Sequence, residues 1–244
     1  MRKMLNVNIV LFLKKEYTNL VEKKFKGEFV QALQNFNTIT ENELRKRLNS
    51  FYKNSRSRDQ AWKGYKGMLY EFAVFESIKQ VIASEKELSL QIDVISGSNI
   101  SKEYRDQVFI KNWVDILPDV DIVIIQKLRK IVKAIVSCKT SLRERLTETA
   151  FWKRELERND KTRNIKVILV TTDKDEELRI DTNRYILLHV IDYTLVTDME
   201  KYRKLIRIYQ EKYGNRRDFN ELISKVKPIT CLKEVLYDLI DSKN

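Results

Sequence analysis

The chain has 244 residues, with 47 Lys and Arg against 35 Asp and Glu, and so carries a net charge of +12. That length supports a sizeable buried core, and only 5 Gly and 2 Pro exclude collagen-like and Pro/Gly-rich low-complexity chains. Two cysteines (Cys138, Cys231) and one histidine (His189) exclude a disulfide framework and any four-ligand Cys/His zinc site without carboxylates. The basic excess predicts a cytoplasmic protein that meets a polyanion.

In chain order, residues 5–13 (LNVNIVLFL) are apolar but too short for a bilayer and are followed by no cleavage site, so they read as a buried strand or a helix start. Apolar residues three and four apart predict helices within 17–33, 44–51 and 62–82. Short β-branched runs predict strands at 120–126 (VDIVIIQ), 131–138 (IVKAIVSC), 165–171 and 185–191, with a tight turn at 127–130. A helix at 141–158 carries Leu142, Leu146, Ala150 and Lys153 on one side. Helices capped by Asp198 and Asp218, then an amphipathic segment at 231–240, close the chain. This order predicts an α/β fold, a mixed central sheet flanked by helices with a helical N-terminal portion. One domain over 1–244 accounts for it: 1–60 helical, 61–195 the core, 196–244 C-terminal helices. His189 and Cys231 read as core residues.

The chemistry concentrates between Pro118 and Arg145. Asp119 and Asp121 lie two apart at a strand start and so share a face. If the strands at 122–126 and 131–136 pair antiparallel, these acids meet Ser137 and Lys139 at one sheet end. Carboxylates and a lysine suit phosphodiester hydrolysis: the acids hold Mg²⁺, and the lysine orients or deprotonates water and offsets charge on the phosphate. A solvated strand end is the plainer alternative.

Here the sequence resembles the PD-(D/E)XK nuclease superfamily, and more closely its type II restriction endonucleases. Pro118-Asp119, or Asp121 just inside the strand, resembles the metal-binding aspartate, and Ser137-Cys138-Lys139 the (D/E)-x-K tail with Lys139 as its lysine. Ser137 departs from the usual acid. A subset that cuts CCGG-containing sites shares that departure and takes its carboxylate from a helix. The same subset carries a basic-acidic-basic triplet, matched here by Arg143, Glu144 and Arg145. Arg can read guanine and Glu the cytosine amine in the major groove. Ser141-x-x-Glu144 equally satisfies a capping box.

For the missing carboxylate, Glu148 and Glu155 share one helical face, although the resemblance places it where Trp152 stands. Glu71, among Met68, Val74, Phe75 and Ile78, is a stronger candidate, because a carboxylate on an apolar face must pair or bind metal; Glu76 is expected to be exposed. The resemblance also implies that the Cys138 carbonyl ligates metal. Arg56, Arg58 and Lys63, interleaved with Tyr52, Trp62 and Tyr65, suit phosphate contact, though a polar loop feeding a helix explains them too. The expectation is a Mg²⁺-dependent homodimeric nuclease acting on double-stranded DNA at a short palindromic G·C-containing site, with no membrane and no small-molecule cofactor. A repair or junction nuclease of the same superfamily, and a DNA-binding regulator without chemistry, are the alternatives.

Overall fold

The computed structural model describes residues 6–111, 113, 115–142 and 144–241. The N-terminal portion is helical: α1 (Val7–Phe25), α2 (Phe29–Gln34), α3 (Phe36–Ile39), a π turn at Thr40–Leu44, and α4 (Arg45–Arg47). Asn6 caps α1 by accepting from the Asn8 and Ile9 amides, so the described part of that apolar run, residues 6–13, is a helix start. Long α5 (Ser55–Ser84) follows, capped by the Asn54 side chain, then α6 (Lys86–Gln91). Tyr17, Phe36, Tyr70 and Phe72 lock α1 and α3 onto α5 through tilted and edge-on ring contacts.

The remaining elements are β1 (Ile92–Ser96), α7 (Lys102–Val108), β2 (Ile122–Gln126), β3 (Ile131–Lys139), α8 (Arg145–Glu157), β4 (Lys166–Thr171), α9 (Asp181–His189), β5 (Tyr193–Val196), α10 (Met199–Tyr213), α11 (Phe219–Lys225), β6 (Val226–Pro228) and α12 (Leu232–Asp241). The six strands lie in sequence order in one sheet. β1, β2 and β3 pair antiparallel, whereas β3 to β6 pair parallel. The sheet is therefore mixed, and both faces are covered, as parallel strands require. Ile122, Ile124, Ala134, Val136 and Cys138 point to the core shared with α1, α5 and α12. Val123, Ile125, Ile135, Val167 and Leu169 point to the core shared with Leu146 of α8, Leu187 of α9 and Leu205 of α10.

The hairpin register Ile122↔Val136 is the one that brings the start of β2 to the end of β3. Leu142, Leu146, Ala150 and Lys153 are all buried, as their spacing predicts. Lys153 is accommodated by an ion pair with Asp192 at 2.8 Å and by the Ile165 carbonyl. Asp198 caps α10 by accepting from the Glu200 and Lys201 amides. Asp218 precedes α11 but pairs with Arg216 instead of capping it.

Other expectations also need correction. Residues 185–191 are not a strand: Tyr185 to His189 complete α9, and the strand lies just beyond, in β5. A seven-residue apolar run has no period that separates helix from strand, and Leu187 and Leu188 are simply the buried side of α9. β1 and β6 were not expected; they are edge strands of five and three residues. His189 is exposed at the end of α9 and rests against the Tyr185 ring at 4.5 Å, so it is not a core residue; Cys231 is half-buried.

Candidate active site

The hairpin fixes the site. Asp121 lies one residue before β2, and strand alternation turns it, with Ser137 and Lys139, to the α8 side of the sheet. Lys139 Nζ donates to Asp121 Oδ2 at 3.0 Å and to Asp119 Oδ2 at 3.1 Å, while the Cys138 amide donates to Asp121 Oδ2 at 2.7 Å. One ammonium thus bridges two carboxylates, and Asp121 is only 7% exposed. Burial raises the pKa of Asp121, opposed chiefly by Lys139 and the Cys138 amide. For Lys139, burial pulls down, but the charges of Asp121 and Asp119 outweigh it and raise its pKa, so it stands as a cation.

The backbone behind Asp121 is equally constrained. The Gly97 amide at the end of β1 donates to the Asp121 carbonyl at 2.8 Å. A Cβ at position 97 would lie 2.0 Å from the Val120 carbonyl oxygen, so glycine alone permits this close approach.

Glu71 reaches the same region from the other face of β3. It is half-buried on α5, and Cys138 feels its charge: burial first, then Asp121 and Glu71, push the Cys138 thiol well above its usual pKa. Ser137 is buried, with its hydroxyl 3.4 Å from that of Thr149 on α8, so a hydroxyl pair stands where the usual acid would point. Glu148 pairs with Arg145, and Glu155 with Arg158. Glu76 is half-buried instead of exposed. No cluster of three or more His, Cys, Asp or Glu side chains able to hold a metal occurs among the described residues. The donors that do converge, Asp119 and Asp121, offer hard carboxylate oxygens that already demand a positive charge, and this fits Mg²⁺ held mainly through water.

Arg143 lies outside the described residues. Glu144 and Arg145 are exposed at the start of α8. The capping box does not form: Glu144 makes no side-chain cap, the Ser141 hydroxyl donates to Asp175, and α8 starts only at Arg145. Along α5, Arg56 and Lys63 are exposed, and Arg58 binds Asn49 and Asp59. Arg56 lies about 22 Å before Glu71 on the helix axis, beyond the active end of the sheet. The aromatics interleaved with them turn inward: Trp62 and Tyr65 are buried, and the Trp62 indole and Lys66 ammonium both donate to Glu41. Sequence reasoning passed over Thr149 and Asp175, each of which becomes notable only through a partner distant in the chain.

Two acids and a lysine at one end of a mixed sheet, helices on both faces, define a restriction-endonuclease-like fold. The comparisons with known proteins agree. Residues 98–222 match the family model described as BsaWI restriction endonuclease type 2. The chain is 28% identical over 172 residues to MjaVIP of Methanocaldococcus jannaschii, named as a type II restriction enzyme, an overlap of 62% of this chain and 75% of that one. It is 41% identical over 63 residues to HpyAORF263P of Helicobacter pylori, also named as a type II restriction enzyme, covering 26% of this chain and 33% of the relative. A solved restriction endonuclease PspGI in complex with its substrate DNA shares the fold, with a TM-score of 0.61, 14% identity, and coverage of 98% of this chain and 93% of that one. The chain belongs to the BsaWI family of type II restriction endonucleases, site-specific deoxyribonucleases. Among the described residues no helix is long and apolar enough to cross a membrane.

Proposed function

We propose that this chain is a Mg²⁺-dependent cytoplasmic endonuclease that hydrolyses both strands of double-stranded DNA at a short palindromic site containing G·C pairs, working as a homodimer. The observation that carries the reading is the Lys139 ammonium set between Asp121 and Asp119 at 3.0 and 3.1 Å. Asp121 and Asp119 would hold the metal, with the Cys138 carbonyl and Glu71 contributing from the α5 side. A Mg²⁺ held there would polarise the scissile phosphate and lower the pKa of its water. Lys139, freed from the acids, orients the attacking water and offsets charge developing on the phosphate. Glu144 and Arg145, with Arg143 before them and Ser141 behind, would read base edges in the major groove. Arg56, Arg58 and Lys63, projecting on α5 past the active end, would grip phosphates.

Residues 1–244 would act as one nuclease domain: 1–60 supply the helical support, 61–195 the catalytic core, and 196–244 the closing helices. In support, the sheet draws its last strand, β6, from the C-terminal portion.

Supercoiled plasmid digested with and without Mg²⁺ tests the reading. Discrete fragments with Mg²⁺, and intact plasmid with a chelator, are expected. A smear, or cutting confined to branched DNA, would replace sequence recognition by shape recognition; binding without cutting in Mg²⁺ or Mn²⁺ would remove the catalytic assignment altogether.

A further inference from the structure

The described residues between Lys139 and α8, 140–142 and 144, belong to no helix or strand, and Leu142 is anchored in the core beside Leu146. Long-range polar contacts to Thr140 and Ser141 come from one turn, residues 172–176, which follows β4. The Thr172 hydroxyl donates to the Thr140 carbonyl at 2.8 Å, and the Lys174 amide donates to the same carbonyl at 3.3 Å. The Ser141 hydroxyl donates to the Asp175 carboxylate.

The turn is itself fixed from behind. The Asp173 carboxylate accepts from the Glu177 and Leu178 amides at 2.9 and 3.3 Å. From α10, the Lys201 ammonium donates to the Asp173 and Lys174 carbonyls at 2.8 and 2.6 Å. Asp173 and Glu176 both adopt left-handed backbone, with φ of 46° and 55°, conformations that cost energy for residues with a Cβ. A turn held in so specific a shape is a rigid platform, and Asp175 is the residue it presents to the segment ahead of α8.

We propose that Asp175 is a positioning residue for sequence discrimination: through Ser141 it fixes how Glu144 and Arg145 are presented to the bases. This rests on the reading that the triplet contacts base edges. A charged acceptor makes the stronger kind of hydrogen bond to a hydroxyl. Because a bidentate base contact tolerates little displacement, loss of that bond is felt as lost selectivity.

The experiment measures kcat/KM on the cognate site and on sites with one base pair changed, for wild type and for Ser141→Ala, Asp175→Ala, Asp175→Asn, the Ser141→Ala/Asp175→Ala pair and Arg145→Ala. Melting temperature is followed in parallel. Ser141→Ala and Asp175→Ala are each expected to lower the cognate-to-altered ratio about tenfold, and the pair no further than either alone. Asp175→Asn, whose amide oxygen still accepts from Ser141, should retain most of the ratio. Additive losses in the pair, or an unchanged ratio in Asp175→Ala while Arg145→Ala lowers it, overturn the positioning role alone. An unchanged ratio in Arg145→Ala instead overturns the base-reading assignment on which it rests.

Discussion

Lys139 neutralises two acids at once, so removing it has a structural consequence as well as a chemical one. Asp121, with 2% of its side chain exposed, would be left as a buried charge without its cation. Breaking such a pair costs about 3–5 kcal/mol. Lys139→Ala should therefore destabilise the fold by roughly that amount in urea unfolding, and Asp121→Asn/Lys139→Ala should cost less than Lys139→Ala alone. Cleavage should fall by about 10²–10⁴-fold in Lys139→Ala, and equally in Asp121→Asn alone, while specific binding persists. If the double variant is no more stable than Lys139→Ala, the bridge is not what holds this corner. A second residue has an opposite effect on stability. Burial raises the Asp173 pKa to about 6, against the Glu177 and Leu178 amides and Lys201, with Glu176 adding repulsion. The folded chain then binds this proton more tightly than the unfolded one, so stability is lost as pH rises from about 4 to 6 and the cost is complete above 6. Asp173→Asn, which keeps an acceptor for both amides, should be more stable than wild type by about 2–3 kcal/mol at pH 7.5, and the advantage should vanish by about pH 4. Melting curves at the two pH values decide it. The acid pair and lysine were legible in the sequence because strand alternation and a four-residue turn fix their relative positions. The place of the missing acid was not, because Ser137 finds Thr149 across 12 residues of chain that no local pattern connects.

At the scale of elements, the acid–lysine corner is braced by β1 through one glycine. Gly97→Ala would drive a methyl into the Val120 carbonyl, and the backbone must yield where Asp121 begins. A strained close approach costs about 1–3 kcal/mol. The displacement bears directly on Asp121, so Gly97→Ala is expected to depress cleavage more than its loss of stability explains. The check compares kcat well below the melting temperature with the denaturant midpoint; equal, small effects on both would show that the corner relaxes freely. The β2–β3 hairpin was legible because continuous Ile and Val runs flank a polar turn. α5 was legible from its helical period only from Trp62 onward; Ser55 to Ala61, which carry no such period, belong to the same helix. β1, with the sequence IDVIS, was hidden by its position directly after α6, and β6 by its three-residue length and its terminal proline. α9 was misread because its buried Leu187 and Leu188 lie in an apolar run that extends to Ile191, and only the acidic start at Asp181 marks a helix.

For the whole molecule, a charge of +12 makes binding to DNA depend on counterion release. Affinity should fall by about 10³–10⁵ between 50 and 200 mM salt if six to ten phosphates are engaged. Arg56→Ala and Lys63→Ala should each reduce the salt slope by about one without changing which sequence is preferred. A slope that survives both substitutions would move the phosphate grip off α5. Symmetry supplies the last expectation. One chain carries one acid–acid–lysine corner, so the proposed homodimer would place two such corners, related by a two-fold axis, on a palindromic site. Mixing equal amounts of wild type and Lys139→Ala, with time to exchange subunits, should give mixed dimers as about half of the population. Each mixed dimer can cut only one strand per encounter, so nicked circular plasmid should accumulate well beyond the level seen with wild type alone. A chain that breaks both strands as a monomer would instead give linear product at half the rate, with no added nicked circle. Gel analysis of the time course therefore distinguishes a shared two-fold site from a self-sufficient subunit, and sedimentation of the DNA-free chain at the same concentrations shows whether the pair forms before or on the DNA.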